Sequence, residues 1–158
     1  SADVDITWDT AGTLSGGGGA DIILGNNQNS TIDGNGGNDL IIAGAGNDTI
    51  DGGPGNDSMI GGKGNDVFVG GAGNDLMESG GGNNTFLFSG AFGFDAINGY
   101  QGSDKLVFMG VEGAGQGYDY KQHASQTGSD TVLKIGDYAV TLVGVGVANL
   151  SDSSFMFA

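Results

Sequence analysis

The chain has 158 residues, of which 35 are glycine, with 19 acidic and 4 basic side chains and no cysteine. Glycine in a helix costs about 1 kcal/mol relative to alanine, so this composition excludes a helical bundle, and the single proline excludes collagen. A net charge of −15 excludes nucleic acid and anionic membranes as partners, because both bind basic patches.

The first 15 residues contain one short segment with the pattern of a strand. Val4, Ile6 and Trp8 alternate with polar residues, which is the period of a strand with one buried face. We predict an N-terminal strand or cap over residues 1–15.

Residues 16–87 are eight consecutive nonapeptides without an insertion: GGGGADIIL, GNNQNSTID, GNGGNDLII, AGAGNDTID, GGPGNDSMI, GGKGNDVFV, GGAGNDLME and SGGGNNTFL. Position eight is apolar in every unit, and position six is aspartate in all units except the second, with Ser30, and the eighth, with Asn84. A fixed short period is typical of solenoid architectures, in which each unit packs only on its neighbours.

Each nonapeptide is interpreted as a six-residue turn followed by a three-residue strand. Glycine at positions one, two and four permits a positive φ, and asparagine at position five tolerates the left-handed region. Alternation along the strand turns only position eight inward. Two units then form one turn of a flattened coil, so the predicted sheets are lined by Ile23, Ile41, Met59 and Met77 and by Ile32, Ile50, Phe68 and Phe86.

Stacking brings each position-six aspartate about 4.8 Å from the one eighteen residues later. Like charges at that distance repel, so a cation is needed between them. Carboxylates and carbonyls without histidine or cysteine are hard oxygen ligands, which favour calcium over zinc or copper.

The units resemble the G-G-x-G-x-D-x-U-x repeat of RTX proteins, a calcium-binding nonapeptide. The chain is similar in this respect to serralysin-type C-terminal domains and alginate epimerase R-modules. The resemblance implies an all-β fold, a right-handed parallel β-roll that binds calcium, with a β-rich C-terminal cap.

The resemblance also implies the ligands, because in RTX rolls each ion lies between loops one coil turn apart. The earlier loop supplies its aspartate and the carbonyls of positions two and four, and the later loop its aspartate and the carbonyls of positions one and three. Four strong sites follow: Gly17, Gly19 and Asp21 with Gly34, Gly36 and Asp39; Asn35, Gly37 and Asp39 with Gly52, Pro54 and Asp57; Gly44, Gly46 and Asp48 with Gly61, Lys63 and Asp66; Gly53, Gly55 and Asp57 with Gly70, Ala72 and Asp75. The same rule adds the carbonyls of Gly62, Gly64, Gly71 and Gly73.

Two departures weaken further sites. Ser30 removes a carboxylate opposite Asp48, and Asn84 has a milder effect opposite Asp66. We expect one to three weaker sites, the last of which depends on how the chain between Phe88 and Asp95 folds.

Residues 88–158 lack the strict period and contain longer β-like runs at 105–109, 131–135, 138–143 and 155–157. We predict a β-rich cap, whose open end is filled by Phe86, Phe88, Phe92 and Phe94. The segment FGFDAINGYQGSDKLVF and the ending NLSDSSFMFA resemble the C-terminal regions of type I secreted RTX proteins, which implies an uncleaved export signal. A final edge strand is the alternative interpretation of the ending.

The sequence contains no HExxH, GxSxG, P-loop or EF-hand motif and no cysteine nucleophile. His123 lies in a polar stretch and is expected to be a solvated loop residue. We predict a non-catalytic module without catalytic residues or an organic cofactor.

Two functions remain open. The first is a secreted, extracellular calcium-binding module that folds on binding Ca²⁺ and supports type I secretion and stability of a larger protein, with calcium ions and the secretion machinery as partners. We expect it to be a monomer without membrane insertion. The alternative is a non-catalytic polysaccharide- or surface-binding module of a secreted enzyme, an adhesin or an S-layer protein. The net charge of −15 disfavours a direct contact with an acidic polysaccharide.

Overall fold

A computed structural model describes residues 6–8, 12–115 and 117–158. The strands are β1 Ile6–Trp8, β2 Thr13–Ser15, β3 Ile22–Leu24, β4 Thr31–Asp33, β5 Leu40–Ala45, β6 Thr49–Pro54, β7 Ser58–Lys63, β8 Val67–Ala72, β9 Leu76–Glu78, β10 Thr85–Ser89, β11 Phe94–Asn98, β12 Lys105–Met109, β13 Ala124–Thr127, β14 Asp130–Ile135, β15 Tyr138–Leu142 and β16 Phe155–Phe157. Short 3₁₀ helices span Tyr120–Gln122, Val147–Asn149 and Asp152–Ser154. None of the helices in these described ranges is long and apolar enough to cross a membrane.

The strands form two facing sheets, as predicted. Sheet A has the order β1-β3-β5-β7-β9-β11-β15-β14-β13, and sheet B has the order β16-β12-β10-β8-β6-β4-β2. The repeat strands pair in parallel with a register of eighteen residues, as in Ile32↔Ile50 and Ile50↔Phe68. The predicted parallel β-solenoid is therefore confirmed.

All eight predicted inward side chains at position eight are at most 1% exposed. The prediction that only position eight points inward was wrong, because the position-six carboxylates are also buried. Side chains alternate along an extended chain, so position six, position eight and position one of the next unit share the inner face. Ala43, at position one, is accordingly 0% exposed.

The regularly spaced glycines of the loops adopt different backbone conformations, which the prediction did not distinguish. Positions two and four have a positive φ in repeats three to eight, whereas position one does not. Glycine at position one instead leaves room for a carboxylate, since a Cβ at Gly52 would stand 2.5 Å from Asp57 Oδ2.

Asparagine at position five does not adopt the left-handed conformation, since Asn35, at position two, is the single described non-glycine residue with a positive φ. Its side chain serves the stacking instead. The backbone N–H of Asn56 donates to Oδ1 of Asn38 at 2.9 Å, and the same bond recurs at Asn47, Asn65, Asn74 and Asn83. These bonds tie each loop to the one a full turn earlier.

The coil continues past residue 87 before the cap begins. Strand β11 pairs in parallel with β9, and β12 with β10. The cap then adds β15 in parallel to β11, an antiparallel β13–β14–β15 meander, and β16 beside β12.

The predicted aromatic filling of this end is confirmed for three of its four residues. Phe86, Phe88 and Phe92 are at most 1% exposed, whereas Phe94 is 64% exposed. Phe94 occupies the position-five place of a loop, where side chains point to solvent. His123 is exposed, as expected, and its ring stacks on Tyr118.

Candidate metal sites between the stacked loops

The position-six residues form two buried columns, one along each sheet. Column A contains Asp21, Asp39, Asp57, Asp75 and Asp95, and column B contains Ser30, Asp48, Asp66, Asn84 and Asp104; all are at most 4% exposed. Within a column, Oδ1 of each later side chain accepts the backbone N–H of the residue one turn earlier. The Asp39 N–H, for example, donates to Asp57 Oδ1 at 2.8 Å.

The second carboxylate oxygen distinguishes the members of these columns. Oδ2 is buried and has no hydrogen-bond partner in Asp39, Asp48, Asp57, Asp66, Asp75 and Asp95. A buried charge without a partner costs several kcal/mol, and a cation between the loops would remove that cost.

Backbone carbonyls from the next turn lie beside these oxygens. A Cβ at Gly34 would stand 2.5 Å from both Asp39 Oδ2 and the carbonyl oxygen of Gly52. At Gly52 the corresponding distances are 2.5 Å to Asp57 Oδ2 and 2.8 Å to the oxygen of Gly70. The two oxygens in each case come from loops one turn apart, as in the ligand sets that the resemblance implies.

The carbonyls of positions two and four project along the coil towards the following loop. A Cβ at Gly62 would stand 1.9 Å from the oxygen of Gly44, and one at Gly64 would stand 1.6 Å from that of Gly46. The position-three carbonyl of Lys63 accepts the Gly46 N–H at 2.9 Å, which leaves its second lone pair for an ion.

The residues therefore fit calcium, which takes six to eight oxygen ligands. No group of three or more acidic or histidine side chains gathers in the described ranges, so each candidate site combines two carboxylates with backbone carbonyls. The ligand sets that begin at Asn35, Gly44 and Gly53 have this arrangement. Their assignment as calcium ligands stays a prediction.

The first ligand set differs from the other three. Gly17 and Gly19 lack the positive φ found at positions two and four of later loops. Oδ2 of Asp21 accepts the backbone N–H of Gly17 at 2.6 Å, so this oxygen is already satisfied within its own loop. It still lies beside the Gly34 carbonyl, since a Cβ at Gly16 would stand 2.7 and 2.6 Å from the two oxygens.

The two residues that replace aspartate in column B carry their own donors. Oδ1 of Asn84 accepts the Asp66 N–H at 2.8 Å, so its amide nitrogen must point into the site. That nitrogen donates to the carbonyls of Ser79 and Gly81, at 3.3 and 3.4 Å. Ser30 Oγ donates to the Gln28 carbonyl at 3.1 Å. At both places an uncharged donor contacts carbonyls of its own loop.

Burial raises the pKa of seven column carboxyls, those of Asp39, Asp48, Asp57, Asp66, Asp75, Asp95 and Asp104. It raises the pKa of Asp57 to about 6, and the neighbouring carboxylates Asp75, Asp39 and Asp51 add to the rise. The deeper Asp95 has a pKa of about 8, raised by burial and by Asp75. Without calcium, the fold therefore disfavours the ionised form of these carboxyls.

Without calcium, we expect the folded chain to be more stable at about pH 5 than at about pH 7.5. Carboxyls have a pKa near 4 in the unfolded chain and a raised pKa in the fold, so the folded state binds more protons between these values. Stability then falls as pH rises, through about 6 for Asp57 and about 8 for Asp95. Circular dichroism in chelator at the two pH values checks this as the folded fraction, and a stronger β signal at the higher pH would contradict it.

Asp95 and Asp104 belong to the columns but were not assigned as ligands from the sequence, which left open a last site between Phe88 and Asp95. They belong to two further nonapeptides, GAFGFDAIN at 90–98 and GYQGSDKLV at 99–107. Both have glycine at positions one and four, aspartate at six and an apolar residue at eight. Two inserted residues, Phe88 and Ser89, break the frame and hid this signal.

Residues 15–50 and 51–86 match the sequence model of a protein family, described as RTX calcium-binding nonapeptide repeat (4 copies). A curated lipase of Pseudomonas fluorescens is 54% identical over 65 residues, which is 41% of this chain and 13% of the lipase. The chain thus spans a small part of that relative.

Two solved structures resemble the whole coil. The extracellular lipase LipA from Serratia marcescens has a TM-score of 0.63 and 25% identity, over 96% of this chain and 42% of the lipase chain. The AlgE6R3 subunit of the Azotobacter vinelandii mannuronan C5-epimerase has a TM-score of 0.50 and 26% identity, over 94% of this chain and 81% of that one.

The repeats, the stacked parallel strands and the paired columns of buried carboxylates agree with these matches. Residues 15–86 of this chain therefore belong to the RTX calcium-binding nonapeptide repeat family.

Proposed function

We propose that the chain is a calcium-dependent folding module that folds on binding extracellular Ca²⁺ and supports type I secretion and stability of a larger secreted protein. The observation that carries this proposal is the set of six buried Oδ2 atoms without a partner, which lie where loops one turn apart meet. A bound Ca²⁺ ion would compensate the negative charge of these carboxylates.

The chain's own residues provide the coupling between binding and folding. Each candidate site takes oxygens from two loops eighteen residues apart, so no complete site exists until the coil has closed. A ligand that binds only the folded state stabilises that state, so the free energy of binding adds to the free energy of folding. At low calcium the net charge of −15 keeps the chain extended by repulsion, which suits export before folding.

The module is proposed to be non-catalytic. The sequence contains none of the catalytic motifs considered above, and the chain covers only 42% of the lipase structure that it resembles. Any catalytic activity of the parent protein would then reside in another domain.

Calcium titration followed by circular dichroism tests the proposal. We expect a coil spectrum in chelator and a β spectrum above about 10⁻⁴ to 10⁻³ M calcium, the range of extracellular modules. Magnesium is the control, because it demands an octahedral shell and dehydrates reluctantly. A chain that is equally folded in chelator would contradict the proposal.

Polysaccharide binding is the second candidate function. The likeness to the mannuronan epimerase subunit favours it, and the net charge of −15 requires calcium or lysine side chains to bridge an acidic polymer. Calorimetry with mannuronan oligosaccharides in excess calcium separates the two candidates, since a folding module alone would give no heat.

A further inference from the structure

Two buried aspartates lie beyond the last residue that the family model matches. Asp95 is 2% exposed and Asp104 is 0% exposed. Each accepts, through Oδ1, the backbone N–H of the column residue twenty positions earlier, from Asp75 at 2.9 Å and from Asn84 at 2.7 Å. Both columns therefore continue across the inserted residues.

These two aspartates differ in the hydrogen bonding of their second carboxylate oxygen, Oδ2. Oδ2 of Asp104 accepts the backbone N–H of Gln101 at 2.8 Å, and the preceding residue in its column is the uncharged Asn84. Oδ2 of Asp95 is buried without a partner, and so is Oδ2 of Asp75, which precedes it. Of these two aspartates, only Asp95 thus forms an uncompensated pair with the carboxylate one turn earlier, that of Asp75.

The loop before Asp95 stacks on the preceding turn through the same contacts at positions four, five and seven as the regular loops, although its positive φ lies at position one, Gly90, and not at position two. The Phe94 N–H donates to Asn74 Oδ1 at 3.0 Å, and the Ala96 N–H donates to the Asp75 carbonyl at 2.8 Å. A Cβ at Gly93 would stand 1.8 Å from the oxygen of Gly73, so this carbonyl projects to the next loop in the same way as in the repeats.

The two inserted residues do not disturb this stacking because one of them is absorbed by the core. Phe88 and Phe92 are each 1% exposed, and their rings lie 5.0 Å apart. The insertion therefore fills the end of the core and leaves the position-six column in register.

We propose that Asp75 and Asp95, with the carbonyl of Gly73, hold a further calcium ion between the last matched turn and the cap. This inference rests on the proposed function. Strand β11, which contains Asp95, pairs with β9 on one side and with β15 on the other. The ion would therefore make the order of the antiparallel cap strands depend on calcium as well.

Native mass spectrometry of the full chain in excess calcium tests the site. Asp95→Asn keeps the oxygen that accepts the Asp75 N–H and should bind one ion fewer than the wild type. Asp33→Asn is the control, because it makes the same charge change at an exposed residue that keeps the oxygen accepting the Asn35 N–H, and it should keep the wild-type count. Equal counts for wild type and Asp95→Asn, or the same loss in Asp33→Asn, would overturn the proposal. A wild type that binds no calcium would instead overturn the proposed function.

A second measurement covers the case in which Asp95→Asn fails to fold. Hydrogen exchange of the wild-type β15 amides, Tyr138–Leu142, should slow by at least about tenfold in the last step of a calcium titration. A crystal structure of the wild type grown with calcium should show the ion between Asp75 and Asp95. A gap without metal density there would overturn the proposal.

Discussion

Replacing Asp57 with asparagine should remove two calcium ions from the roll. Asp57 belongs to two candidate sites, one with Asp39 and one with Asp75, and it is hydrogen bonded to both neighbours. Its Oδ2 lies with the Gly70 carbonyl beside Gly52. Asparagine keeps the Oδ1 that accepts the Asp39 N–H, so its amide nitrogen would occupy the place of Oδ2, as in Asn84.

We expect the Asp57→Asn chain to need at least about tenfold more calcium for half-folding, which corresponds to about 1.4 kcal/mol. Ion counts by native mass spectrometry and a calcium titration by circular dichroism measure the two effects. The control is Asp33→Asn, because Asp33 is exposed and lies at position nine, with the same change in charge. An unchanged ion count in Asp57→Asn would refute the ligand assignment.

The opposite substitution, Asn84→Asp, tests the same ligand assignment in the other direction. Asn84→Asp should add at least one ion, because Oδ2 would replace the amide nitrogen that now donates to the carbonyls of Ser79 and Gly81. Without calcium the same change should destabilise the fold, since it introduces an unpaired buried carboxylate. The two substitutions therefore move the ion count in opposite directions through the same position of the repeat.

The regular part of the fold was predictable because its period is exact in the sequence. Apolar residues at position eight fix the inner face, and eighteen-residue stacking follows from two repeats per turn. The unpaired second oxygen of the column carboxylates was not predictable, since it depends on which donors lie one turn away. Asp21 and Asp39 look alike in sequence, yet only Asp21 accepts a hydrogen bond from its own loop through Oδ2.

The errors have the same physical origin. Asparagine at position five was interpreted from its local backbone preference, but it bonds to a residue eighteen positions away. The nonapeptides at 90–98 and 99–107 escaped detection because two inserted residues shift the frame, whereas the hydrogen bonds of the column tolerate a spacing of twenty. The antiparallel cap strands have no repeat to indicate their partners.

Replacing Gly64 with alanine should prevent the regular coil from forming, even in excess calcium. Gly64 has a φ of +133°, and a Cβ there would stand 1.6 Å from the oxygen and 2.6 Å from the carbon of the Gly46 carbonyl. The Gly46 N–H is itself bonded to the carbonyl of Lys63 at 2.9 Å, so moving the two backbones apart would break this hydrogen bond. We expect a loss of more than about 4 kcal/mol in the free energy of unfolding, the range of severe backbone and packing defects.

This substitution separates loop shape from ligand chemistry, because alanine retains the carbonyl oxygen of residue 64 that is predicted to be a calcium ligand. The control is Gly81→Ala, at position three, where φ is not positive and a Cβ would have no neighbour within 4 Å. Urea unfolding of both variants at saturating calcium measures the difference. Equal stability of the two variants would mean that the loops can open enough to admit a side chain. The close stacking that brings oxygens of successive turns together would then not be a requirement of the fold.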